Sequence, residues 1–274
     1  DNNTALGVNA LNVNTTGATN TAVGAGALLR NTTASNNTAV GHSALDHNTT
    51  GVNNVAVGAT ALDANTTAAN NVAVGMSAMN ANTTGSENTG VGTNALATNT
   101  TASNGTALGV NALQLNTTGA NNTAVGRSAL EANTTGTLNT AVGQNTGVAI
   151  TTGVHNTFMG ALAGDATDDG GYNVAVGSAA LSANCGDGNT AIGHAAGTAI
   201  TGTLNTIVGL NAAYSKTSGD NVSCFGNDAG RVGSPGGQLT TESNRLSVCD
   251  ENITRADIQV DWTVASDARD KTDF

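Results

Sequence analysis

The chain has 274 residues, of which 2% are aromatic and 10% charged, with 36 Gly against one Pro; this argues against an ordinary enzyme core of large apolar side chains. Low charge and regular patterning argue equally against disorder. A net charge of -11 argues against nucleic-acid binding through a basic surface, and an acidic exterior suits a long, weakly charged rod that must stay soluble.

The charge is uneven. Residues 1–160 carry Asp1, Asp46, Asp63, Glu87 and Glu131 against Arg30 and Arg127, a net of -3, and the rest of the negative charge follows residue 160. Cys185, Cys224 and Cys249 form an odd set without CxxC or zinc-like spacing, so free thiols are expected rather than a disulfide scaffold. No run approaches 18 apolar residues, so membrane insertion is not expected. No signal peptide opens the chain; it starts at Asp1 without Met, and an upstream part is expected.

From its first residues the chain repeats itself. The Gly that closes each NTAVG-like segment recurs at Gly7, Gly24, Gly41 and on to Gly177 in steps of 17 residues, then at Gly193, Gly209 and Gly226 after steps of 16, 16 and 17. So constant a period predicts a solenoid in which every copy meets its neighbours in the same way. The segments are too rich in Asn, Thr, Gly and Val, and too short between turns, for helix. The fold class expected is all-β, a β-solenoid or β-roll of about fourteen coils, roughly 60 to 70 Å long at about 4.8 Å per coil.

Within one coil, for example NNTAVGHSALDHNTTG at residues 36–51, the first element is the strand TAVG. Its Thr38 and Val40 should share one face, with Ala39 on the other. Replacement of Thr by Val55, Val72 and Val174 suggests that the Thr/Val row is tight and mostly buried. The next element, HSALD, reads as a second short strand. Ala44 and Leu45 would then point to opposite faces. Either the Leu row faces outward and is covered by another subunit, or it fills the coil and the Ala rows form a smooth outer surface. The third element, NTTG or NTTA from Asn48, supplies a corner, where stacked Asn amides can form ladders. Its NTT triplets match the N-glycosylation pattern, but their regularity belongs to the corner, and they are expected to be bare.

After residue 142 the text changes to GQNTG, GALAG, GHAAG and GNDAG, with Gly147, Gly164, Gly197 and Gly230 in place of Leu. Phe158, Tyr172, Tyr214 and Phe225 fall here too, and larger side chains should widen the core. The organisation expected is a regular solenoid over 1–142, variant repeats over 143–230, a small C-terminal β cap over 231–265, and a closing motif over 266–274.

The NTAVGxxAL pattern and its NTxxGxxAG variant resemble the head repeats of trimeric autotransporter adhesins, in which β-roll coils from three chains pack round an axis. The closing SDARDK resembles the start of the intramolecular chaperone domain of the endosialidase type, the peptidase S74 family, found at the C-termini of phage tail fibres and tailspikes. That resemblance implies a fibre that trimerises on its chaperone and is then released by self-cleavage. It places Ser266 as nucleophile, Asp267 beside the scissile bond, and Lys271 as the base that activates the serine. A serine hydroxyl needs such a base, and a lysine serves only where burial lowers its pKa. The present chain would hold the junction rather than a working peptidase.

Four histidines, His42, His47, His155 and His194, share no repeat position that would stack them as metal ligands. The Asp cluster of GDATDDGG at 164–171 lacks the liganding Glu of an EF-hand loop, so neither a metal nor a cofactor is expected. The function expected is a phage tail-fibre shaft or distal part in the virion, assembled in the host cytoplasm. Its partners would be itself, as a homotrimer, and a host-surface glycan or protein bound by the region after residue 142. The alternatives are a bacterial trimeric adhesin at the cell surface and, more remotely, an ice-binding solenoid. An enzyme acting on an external substrate is not expected, since the repeat offers no acid pair, activated nucleophile or phosphate loop.

Overall fold

The structure, a computed structural model, describes residues 2–231 and 238–248. Among these, fifteen strands of three residues each, from β1 (Thr4–Leu6) and β2 (Thr21–Val23) to β14 (Ser223–Phe225) and β15 (Leu246–Val248), form one parallel sheet in strict sequence order. Each strand pairs in register with the next, so Thr21 meets Thr38, Ala22 meets Ala39 and Val23 meets Val40. The chain is thus an all-β solenoid. β15 lies within the stretch expected as a cap, and it extends the same sheet by pairing parallel with β14.

The glycine that ends each strand is required twice over. Gly41 has φ of 142°, and a Cβ there would lie 2.4 Å from the Gly58 carbonyl oxygen of the next coil. No L side chain suits that backbone, and none fits the gap.

The strand faces are reversed from the sequence expectation. Ala22, Ala39, Ala56 and Ala73 are fully buried, whereas the flanking Thr and Val positions are half-buried or exposed. The reason is the narrowness of the coil. Opposite the strand lies a wall of turns carrying Leu, and only a methyl fits between. Where Met79 replaces Leu, the facing strand residue in the next coil is Gly90, and a Cβ there would lie 3.2 Å from Met79 Cγ.

The second expected strand is a run of turns instead. Ser43 and Leu45 adopt left-handed backbone, with φ of 51° and 54°, so the alternation of faces that governs a strand does not apply. Both Ala44 and Leu45 therefore point inward and are fully buried. Neither outward row expected from the sequence exists: the Leu column from Leu28 to Leu130 fills the coil, and the Ala columns line it. The turns still bond across coils, as Ser43 N–H donates to Ala25 C=O at 2.9 Å and Leu45 N–H to Ala61 C=O at 3.0 Å.

The corner ladder exists as expected. Asn48 Nδ2 donates to Asn31 Oδ1 at 3.0 Å and to Gly51 C=O at 2.9 Å, and Asn65 Nδ2 donates to Asn48 Oδ1 at 2.8 Å. These asparagines are fully buried, so a glycan cannot be carried there in the folded chain. A second ladder runs through the Asn before each strand. Asn37 Nδ2 donates to Gly51 C=O at 2.9 Å, while Asn37 Oδ1 accepts the Asn54 N–H at 2.9 Å. Buried polar groups are tolerable because most of these amides are matched to a neighbouring coil, Asn133 Oδ1 and Asn173 Nδ2 being the exceptions among the described residues.

Beyond residue 142 the core exchanges volume rather than widening. Gly147, Gly164 and Gly197 keep the left-handed backbone of the Leu they replace, with φ of 57° to 60°, while the corner Asn becomes Ile150, Thr167 and Ile200, all buried. The Phe158 ring is buried in space that Gly164 releases: a Cβ at Gly164 would lie 2.3 Å from its Cε2. Pairing continues unbroken on both sides of Phe158. Tyr172, Tyr214 and Phe225 point outward and so do not enlarge the core. The corner ladder ends at Asn133, whose buried Oδ1 has no donor because Ile150 follows it. At the later corner occupied by Lys216, the buried ammonium donates instead to the carbonyls of Ser218 and Glu242. Burial lowers its pKa, offset by the charges of Glu242 and Asp220.

Candidate functional site

The outer face of the sheet is the most extensive candidate surface. The third residue of every strand is apolar: Val in most, Leu6, Leu108, Met159, Ile192 and Phe225 in others. These side chains are partly or largely exposed, with Val40 and Val57 each at 36%, and they form one stripe along the rod. Fourteen intervals of about 4.8 Å make this row roughly 65 Å long and one residue wide, and it runs beside a row that is Thr in ten of the fifteen strands. A continuous row of exposed apolar side chains of that length is a candidate interaction surface.

A different surface follows the corner. The first Thr of each NTT is occupied by the stack, as when Thr49 Oγ1 donates to Thr66 C=O at 3.0 Å. The second Thr is exposed, giving a single file through Thr50, Thr67 and Thr84. The edge column before the strands is mostly Asn in the regular coils. It changes to Leu138, His155 and Tyr172, where the His155 and Tyr172 rings stack at 4.9 Å with an interplanar angle of 7°. Tyr172 is 62% exposed. The Arg231 guanidinium lies 5.3 Å from the Tyr214 ring centroid, a second outward aromatic in the variant coils.

Ser266, Asp267 and Lys271, the self-cleavage residues implied by resemblance, lie outside the described residues, as does Cys249. Cys185 and Cys224 are free and buried. Burial pushes both thiols above their ordinary pKa, which makes them poor nucleophiles. His42, His155 and His194 are exposed. Asp165, Asp168 and Asp169 are not drawn into one cluster: Thr151 Oγ1 donates to Asp168 Oδ1, and Asp165 is partly buried, which raises its pKa.

One gathering of ligand-type side chains occurs among the described residues: Asp46, His47 and Asp63, whose donor atoms all lie within 4.8 Å of one another. The sequence reading missed it because it compared the histidines only with each other. The signal was there, since Asp46 and Asp63 are one period apart and must stack.

Comparison with protein-family models and with curated proteins finds no match.

Proposed function

We propose that this chain is a structural fibre module, a homotrimeric phage tail-fibre shaft or distal part that carries a host-binding surface. The observation that supports it most is the uninterrupted apolar stripe on the outer face of the sheet. A solenoid already buries its Leu and Ala in its own coils, so the stripe is surplus to the fold of one chain. Packing three such faces round an axis would cover it and stiffen the rod. The SDARDK tail adds the second element, maturation by a downstream chaperone that cuts itself off beside Ser266. On this reading the protein has no external substrate, and its work is mechanical reach and presentation.

Receptor contact falls in the variant coils. There the outer edge exchanges Asn for the exposed, stacked His155 and Tyr172, a platform suited to the apolar face of a sugar or to a protein side chain. A surface adhesin would use the same stripe, and the SDARDK tail is what favours the fibre over it.

Native mass spectrometry of the 274-residue chain tests the assembly. A trimer that persists at low protein concentration is expected; a stable monomer overturns the proposal. For the maturation step, the chain is expressed with its downstream sequence. Cleavage beside Ser266 is expected, and Ser266→Ala should abolish it.

A further inference from the structure

Asp46 and Asp63 follow Leu45 and Leu62 at the same place on adjacent coils, and His47 stands beside Asp46. The first of these columns also holds Asn80, Ala97, Gln114, Glu131 and Asp165, and the second Ala64, Ala81 and Thr98, so acidic residues recur in the first column, and what is peculiar to these coils is His47 beside two stacked aspartates. The Oδ1 atoms of both aspartates are shielded from solvent and accept no hydrogen bond. Asp165, in the same column, has an Oδ1 shielded in the same way, so the shielding belongs to the column; what sets Asp46 and Asp63 apart is the imidazole of His47 within reach of both.

The spacing suits an ion pair and equally two ligands of one metal ion. His47 Nδ1 lies 3.4 Å from Asp63 Oδ1, beyond the usual N–H···O range of about 2.7 to 3.2 Å. Two ligands at about 2.05 Å from a tetrahedral ion are about 3.4 Å apart. All three donor atoms lie within 4.8 Å of one another, so an ion would draw the third inward. All three residues are half-buried, which leaves solvent access for the ion and for a water in the fourth position.

We propose that Asp46, His47 and Asp63 form a binding site for one divalent transition-metal ion of the zinc class per chain, which ties two successive coils together. One imidazole nitrogen and two carboxylates suit such an ion, whereas calcium and magnesium favour all-oxygen shells. Without the ion, Nδ1 lies 3.1 Å from the Asp63 carbonyl and can donate to it. With the ion, Nδ1 gives its lone pair to the metal, that contact is exchanged for the metal bond, and the ring keeps its proton on Nε2. The site stands on residues of one chain and does not depend on the fibre reading.

Isothermal titration of the tag-free, chelator-treated 274-residue protein with zinc chloride is the test. One saturable ion per chain is expected, undiminished by excess magnesium. His47→Ala and Asp63→Asn should each weaken binding at least about tenfold, since even outer-shell changes cost about 10- to 100-fold, while His155→Ala should leave it unchanged. Circular dichroism checks that each variant is folded; should His47→Ala fail, the isosteric Asp46→Asn and Asp63→Asn carry the test. Zinc should also slow amide exchange in the segment 44–64 of the wild type. Absence of saturable binding, or wild-type affinity in the ligand variants, overturns the proposal. Those results would leave His47 beside Asp63 as an ordinary side-chain pair.

Discussion

Asn37→Ala interrogates the ladder that runs inside the rod. The side chain is fully buried and serves two coils, donating to Gly51 C=O and accepting from Asn54 N–H, both at 2.9 Å. Truncation leaves the Gly51 carbonyl with its other donor, Asn48 Nδ2 at 2.9 Å. The Asn54 N–H loses its partner and stays buried. An orphaned buried donor costs about 1 to 3 kcal/mol and the other lost bond about 1, for a total of about 2 to 4 kcal/mol. The backbone N–H of residue 37 still donates to Asn20 Oδ1, so the damage should run toward Asn54 and not back toward Asn20. Amide exchange read by mass spectrometry should show the segment 52–57 exchanging roughly 30- to 1000-fold faster, with segment 18–23 little changed. Asn36→Gly is the matched control: it is exposed at φ of 61°, a backbone glycine accepts freely, and a change within about 0.5 kcal/mol is expected. Equal behaviour of the two variants would refute the ladder as a stabilising element.

Other outcomes follow from the same geometry. Gly58→Ala places a Cβ 2.4 Å from the Gly75 carbonyl oxygen at φ of 136°, so it should split the array, seen as new protease cleavage near residue 58. Leu45→Ala should cost about 2 to 5 kcal/mol by opening a cavity, measured by guanidinium unfolding; the cost of an exposed side chain would contradict its inward placement. Acid should loosen residues 203–242 before the regular coils. The carboxyls of Asp220 and Glu242 are held below their usual pKa by hydrogen bonds from the Thr203 and Thr240 backbones, and that of Asp228 by Arg231. A depressed folded pKa gives stability that is full above the unfolded value, near 4, and is lost as pH falls through the folded one. Pepsin mapping below about pH 4 should therefore cut first in this stretch, because the ladders of residues 14–133 are built on uncharged Asn and Thr.

The period of the glycines made the solenoid, its strands and its Asn corner legible in the sequence. What the sequence hid was direction. Thr38 and Val40 look like the core of a strand by size, yet Ala39 points inward, because the opposite wall already carries Leu45. Leu45 and Ala44 could not be resolved by strand alternation, since the left-handed backbone at Ser43 and Leu45 removes the premise. β-branched or bulky residues are costly at positive φ, so nothing in the residue type warned of it; the later Gly147 and Gly164 at the same column were the available hint. The Asp46, His47 and Asp63 group was hidden for another reason: it emerges only when the text is written in columns of one period.

The claim with most at stake is that the outer stripe is where copies of the chain meet. It can be tested by oxidative cross-linking of Val91→Cys in a Cys249→Ser background, where the remaining thiols, Cys185 and Cys224, are buried. Val91 lies on the stripe at 37% exposure, and Thr101, exposed at the corner, is the comparison site. Rapid disulfide-linked dimers from Val91→Cys, with little linkage from Thr101→Cys, are the predicted result. Cross-linking that is absent at Val91, or equal at the two sites, would contradict it.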